Sequence, residues 1–232
     1  MASFVLVHGA WHGAWCWQRV ARMLERNGHQ VFAPTLTGLC ERSHLLTPAI
    51  DLNTHISDVA NDIKWKELKD IVLVGHSYGG MVISGVAETM EQAIASFVML
   101  DAFMPENDQS VIDLWPAPMR EGLLAAERGG ATTIPPRAAA LFKVNEKDCA
   151  WVDAQCTPQP IKCFLQKLPL TGARERIARK TYIRAAGYEN PYFNAGLASA
   201  RAKKWRTYEV PCGHDVMLDM PERLTEILQD VA

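Results

Sequence analysis

The chain has 232 residues, 48% of them hydrophobic and 22% charged, with a formal net charge of -2 and a pI near 6.4. That length suits one α/β domain with a well-buried core. The charge balance lacks the clustered basic excess of a protein that binds nucleic acid or an anionic membrane.

In chain order, Met1-Ala2-Ser3 runs straight into an apolar strand, Phe4 to Val7. Neither the charged leader of a secretory signal nor the long apolar segment of a membrane span precedes it, so a cytoplasmic protein is expected. An amphipathic stretch from Trp15 to Arg26 stops at Asn27-Gly28, and a short strand follows around Gln30 to Ala33. Thr35 to Pro48 is loop, Asp51 to Asp62 a helix, Ile71 to Val74 the central strand, Tyr78 to Met90 a helix and Ala95 to Leu100 a strand. Lys180 to Ala185 and Arg206 to Val210 are the last strands, and Pro221 to Val231 a terminal helix. The basic cluster Arg201-Ala202-Lys203-Lys204-Trp205-Arg206 reads as a solvated helix end entering a strand. Alternating strands and helices predict a mostly parallel sheet covered on both faces.

Between residues 104 and 179 the alternation fails. The segment is rich in proline and alanine, holds helix-sized pieces and has no convincing strand. An excursion from the carboxyl end of a strand in an open α/β sheet lies over the ligand crevice, so 104–179 is expected to be a cap inserted in a core of 1–103 and 180–232. Six cysteines (Cys16, Cys40, Cys149, Cys156, Cys163, Cys212) have no C-x-x-C pair or zinc spacing and predict reduced thiols without a metal site. His8 and His12 stand four apart, but in a loop without the glutamate of a helical H-E-x-x-H motif.

The motif that carries chemistry is Gly75-His76-Ser77-Tyr78-Gly79, between the central strand and its helix. A G-x-S-x-G turn at that junction is a nucleophile elbow: a strained backbone exposes the serine hydroxyl. The alternative is a serine in a glycine-rich loop without chemistry, against which a second glycine-bearing turn, His8-Gly9-Ala10, closes the first strand. A serine nucleophile needs a base, and the chain order serine, acid, histidine selects His214, in the turn before the last helix. An oxyanion hole takes one N–H from the residue after the nucleophile and one from the first turn, here Tyr78 and Ala10.

Together Phe4 to Trp15, Gly75 to Met81, Asp101 to Pro105 and Gly213 to Met217 resemble the α/β-hydrolase superfamily, and more narrowly bacterial esterases related to plant methylesterases and hydroxynitrile lyases. The resemblance spans nearly the whole chain, least securely in the cap. It implies an α/β-hydrolase fold and a carboxylic-ester hydrolase that forms an acyl-enzyme and uses no cofactor. Two departures follow. Plant members carry the triad aspartate just after the penultimate strand, where this chain has Ala185-Ala186-Gly187-Tyr188-Glu189-Asn190. Other branches place the acid after the strand that follows the elbow helix. Asp101 is therefore the expected acid, with Glu189 and then Asp108 as alternatives. Hydroxynitrile lyases of the group carry threonine in the oxyanion turn and lysine after the catalytic histidine, where this chain has Gly9 and Asp215. An anion there would oppose cyanide departure and favour hydrolysis.

Trp11, Tyr78, Phe103, Phe142, Trp151 and Met217 are expected to converge on an apolar pocket that takes small hydrophobic or aromatic esters. Ordinary core packing is the alternative for each. A lyase, a carbon–carbon hydrolase, a cofactor-free oxygenase or a non-catalytic ligand receptor would share this scaffold. Monomer and homodimer remain open.

Overall fold

The apolar runs of the sequence enter one parallel sheet. In the computed structural model, which describes residues 1–232, β1 (Ser3–Val7) leads through a 3-10 turn (Ala14–Trp17) to α1 (Gln18–Arg26) and β2 (Gln30–Phe32). There follow α2 (Leu52–Trp65), β3 (Ile71–His76), α3 (Gly79–Met90) and β4 (Ile94–Leu100). Beyond β4 lie α4 (Ala117–Arg128), β5 (Thr133–Ile134), α5 (Glu146–Gln155), β6 (Gln159–Pro160), α6 (Lys162–Leu165) and α7 (Ala173–Arg176). The chain closes with β7 (Arg179–Ala185), α8 (Pro191–Ala202), β8 (Arg206–Val210), α9 (Val216–Asp219) and α10 (Pro221–Asp230).

The sheet order is β2-β1-β3-β4-β7-β8, parallel throughout. β3 is buried at all six positions, which is why it reads as an unbroken apolar run and not as an alternation. From β1 the chain moves outward to β2, then returns to β3 on the other side of β1 and proceeds the opposite way. Right-handed crossovers in opposite directions put their helices on opposite faces and open a crevice at the carboxyl ends of β1 and β3. The first turn and the elbow both lie there.

Local chemistry sets several boundaries. Asp51 accepts from the Thr54 N–H at 2.9 Å, and Thr54 Oγ1 accepts from the Asp51 N–H, a capping box that starts α2 at Leu52. Asn190 caps α8, with Pro191 at its first position. Thr35 to Pro48 is not wholly loop: Cys40–Leu45 forms a 3-10 helix. The expectation of no strand in 104–179 is also corrected, because β5 and β6 pair antiparallel, Thr133 with Pro160 and Ile134 with Gln159. Two residues per strand, one of them proline, are too short to leave a period in the sequence. The basic cluster meets acids, with Lys203 near Glu106 and Glu175, Arg201 near Glu209 and Arg206 near Asp230. All six cysteines are unbridged, and no helix is long and apolar enough to cross a membrane.

Candidate active site

Ser77 stands where β3 passes into α3, with φ at 54°, a left-handed conformation that costs a non-glycine residue about 1–3 kcal/mol. Neighbouring backbone holds it there. The Ser77 N–H donates to the Leu100 carbonyl at 3.2 Å, and the Phe103 N–H donates to the Ser77 carbonyl at 3.1 Å. Close approach demands glycine at two flanking positions: a Cβ on Gly79 would lie 2.8 Å from the Val7 carbonyl oxygen, and one on Gly80 2.3 Å from that of Phe103.

The first turn is fixed by its histidines. His8 Nδ1–H donates to the Gly9 carbonyl at 2.8 Å, while Nε2 accepts from the Leu36 N–H at 3.1 Å. Burial pushes the His8 pKa down to about 3, so the ring is neutral. His12 donates from Nδ1 to the Ala10 carbonyl at 2.8 Å and from Nε2 to Asp215 Oδ2 at 3.0 Å. Burial disfavours charge on that ring, but attraction to Asp215 prevails and holds its pKa well above the usual histidine value. Two acceptors on two ring nitrogens require the imidazolium. On the other side of the pocket, the Tyr78 hydroxyl donates to His55 Nδ1 at 3.0 Å, and His55 Nε2–H donates to the Thr37 carbonyl at 2.9 Å. Neither Ala10 nor Tyr78 gives its own N–H to any acceptor in the protein.

His214 N–H donates to the Phe142 carbonyl at 2.9 Å. Its Nδ1–H donates to Asp101 Oδ2 at 2.6 Å, which leaves Nε2 as the ring nitrogen without a protein partner. The imidazole stacks on Phe193 at 4.9 Å between centroids, with Tyr188 and Phe142 at 5.0 and 5.6 Å. Asp101 is fully buried, and its other oxygen accepts from Arg184 Nη1 at 2.7 Å and the Ala185 N–H at 3.1 Å. Glu189 is exposed and makes no hydrogen bond, and Asp108 is exposed and paired with Lys167 at 2.9 Å.

Ser77, His214, Ala10, Tyr78, Trp11, Phe103 and Phe142 line one pocket at the carboxyl ends of β1 and β3. Two expected members do not. Met217 is fully buried in α9, and Trp151 packs edge-on against Trp15, 4.9 Å away, with its face toward Arg19. The short α9 turns Met217 into the core, and α5 carries Trp151 outward. The expectation for Asp215 is corrected too: its carboxylate is fully buried against His12 and does not line the pocket. The sequence reading missed Arg184, Phe193, Tyr188 and Phe164. Arg184 left a signal, since an arginine inside an otherwise apolar core strand requires a buried acceptor. The larger hollow around Lys180, Trp205 and Asp230, at the opposite end of the sheet, holds neither a serine nor a histidine.

A model of the alpha/beta hydrolase family matches residues 4–227. The chain belongs to the alpha/beta hydrolase family. This hydrolase is 41% identical to the carbendazim hydrolyzing esterase of Nocardioides sp. (strain SG-4G), over 98% of each chain. It is 30% identical to putative methylesterase 11 of Arabidopsis thaliana over 78% of this chain and 50% of that protein. Among solved structures, an extracellular alpha/beta-hydrolase from a Paenibacillus species, described as sharing structural and functional homology with tobacco salicylic acid binding protein 2, superimposes with a TM-score of 0.88. The two are 26% identical, over 100% of this chain and 99% of that one. With esterases among its relatives, one of them along its full length, the hydrolase is a carboxylic-ester hydrolase.

Proposed function

We propose that the chain is a serine carboxylesterase that hydrolyses small hydrophobic or aromatic carboxylic esters through an acyl-enzyme. The observation that carries the reading is the 2.6 Å bond from His214 to Asp101, on a histidine that shares its pocket with Ser77 and the two unspent N–H groups of Ala10 and Tyr78. Ser77 Oγ attacks the ester carbonyl while His214 Nε2 takes its proton, and Asp101 orients and stabilises the imidazolium that forms. The Ala10 and Tyr78 N–H groups receive the oxyanion. His214 then protonates the departing alcohol, and water, deprotonated by the same ring, releases the acid. The reaction calls for no cofactor beyond these side chains. The excursion of residues 104–179 serves as a cap, contributing Trp115, Met119, Phe142 and Phe164 to the pocket wall. The unbridged cysteines suit a reducing, cytoplasmic setting.

Hydrolysis is favoured over the lyase reaction by Gly9. A Cβ there would stand 2.9 Å from Ser77 Cβ and 3.0 Å from His76 Nδ1, so the threonine of a lyase-type turn does not fit without displacement of the elbow.

The test is turnover of p-nitrophenyl acetate, butyrate and octanoate by wild type and Ser77→Ala side by side. Replacement of Ser77 or His214 is expected to lower kcat by a factor on the order of 10^6. Undiminished activity in Ser77→Ala would sink the serine mechanism.

A further inference from the structure

The chamber over Ser77 is tight, about 60 Å³. That is room for a reacting carbonyl with short substituents, well short of the volume of a typical ligand site. A second hollow of about 390 Å³ lies beside it, between α4 and the chain at Thr133 to Arg137. Trp11, Trp115, Met119 and Arg137 line both, so the groove continues from the chamber.

Three features of the groove point to a ligand. First, α4 has no buried residue, although Met119 and Leu123 on the helix and Trp115 just before it turn apolar surface into the groove. An amphipathic helix ordinarily buries that stripe against its own protein. Second, the groove wall carries Gly122 in the middle of α4, where a Cβ would meet nothing within 4 Å. Glycine in a helix interior costs about 1 kcal/mol relative to alanine, and no neighbouring atom in the fold requires it here. Third, Arg137, an exposed residue that lines both chamber and groove, has neither a carboxylate partner nor a hydrogen bond in the protein, so its guanidinium is free to meet an anion there.

We propose that this groove binds the larger, ring-bearing half of the ester while the short half stays in the chamber, and that Arg137 reads a carboxylate oxygen on the ring-bearing half. Flat apolar rings would fill the space between Trp11, Trp115 and Leu123, with Gly122 leaving clearance for their edge. The proposal rests on the esterase reading and names the substrate class within it: esters with one short half and one extended aromatic half that carries an anion.

The test separates binding from turnover. Monomethyl biphenyl-4,4'-dicarboxylate and its neutral analogue, methyl biphenyl-4-carboxylate, are titrated calorimetrically into Ser77→Ala protein, alone and combined with Gly122→Ala, Gly122→Phe or Arg137→Gln. Gly122→Phe is expected to weaken Kd for both esters tenfold or more. Gly122→Ala, which adds one methyl group to open space, keeps both and reports that the helix tolerates a side chain. Arg137→Gln is expected to weaken the acid-bearing ester at least five times more than the neutral one. Equal affinities in Gly122→Phe and Gly122→Ala would overturn the groove, and an equal effect of Arg137→Gln on both esters would overturn the role of Arg137. With active enzyme, Gly122→Phe should lower kcat/KM for the biphenyl esters relative to p-nitrophenyl acetate. Failure of the serine mechanism itself would be seen separately, as p-nitrophenyl acetate turnover that survives Ser77→Ala.

Discussion

Arg184 and Asp101 form an ion pair at 2.7 Å with both side chains almost wholly inaccessible, on the carboxylate oxygen opposite the one that accepts from His214. Ala185 N–H adds a second bond to that oxygen, so the carboxyl plane is fixed from the β7 side before the imidazole meets it. Loss of one member of a buried pair leaves an uncompensated charge and costs about 3–5 kcal/mol. Arg184→Met is expected to lose stability in that range, read as a lower urea midpoint at unchanged slope.

Asp101→Asn keeps the shape of the side chain but cannot hold the imidazolium, and kcat is expected to fall roughly 10^4-fold. Glu189→Gln and Asp108→Asn, both at exposed positions, should stay within about twofold of wild type in kcat. The opposite pattern, with Glu189→Gln inactive and Asp101→Asn active, would return the acid to the loop after β7.

Three histidines are buried as neutral rings. Burial lowers the pKa of His8 to about 3, that of His55 to about 4 and that of His76 well below the usual value, the last with help from repulsion by His214. Each unfolded ring binds a proton near pH 6.5, so between that pH and the folded values the unfolded chain holds more protons. Stability is present above pH 6.5 and is lost as pH falls, by about 1.4 kcal/mol per pH unit for each ring. Urea unfolding at pH 5 should show a markedly lower free energy than at pH 7. A flat profile over that interval would count against neutral burial.

His12 has the opposite sign. Its folded pKa is raised by Asp215, so its contribution is complete below about pH 6.5 and declines as pH rises toward the folded value. Asp215 is depressed in turn, since attraction to His12 overcomes its own burial, and it contributes above about pH 4. Asp215→Asn is therefore expected to destabilise the protein by several kcal/mol at pH 6 and to remove the alkaline decline that His12 produces. Persistence of that decline in the variant would assign it to another group.

Much of this was legible in the sequence because it rests on local rules. The elbow shows itself through glycines whose Cβ atoms would strike Val7 and Phe103, and β3 through a run buried on both faces. Asn27-Gly28 and Asn190-Pro191 mark helix ends by their own chemistry. What stayed hidden depends on contacts distant in the chain. Met217 and Trp151 have the same side-chain character as Phe142, and only the packing of α9 and α5 turns them away from the pocket. Asp215 follows His214 directly, yet its neighbour is His12, 203 residues earlier. Residues 104–179 were unreadable in detail because two-residue strands and four-residue helices span only about one repeat of their own periods, too little to establish them.

Because the carboxylate that meets His214 comes from the end of β4, Ser77 and Asp101 hang from one joint, the Ser77 and Phe103 backbone bonds between adjacent central strands. On the proposed mechanism the segment after β7, whose residues Ala186, Gly187 and Glu189 face solvent, holds no acid. It still supplies Tyr188 and Asn190 to the pocket wall. That separation makes the exposed Glu189 position a place where sequence can drift, or be redesigned, to reshape which molecules enter, while Gly187 stays fixed by the Cys212 carbonyl oxygen, which a Cβ there would meet at 2.6 Å.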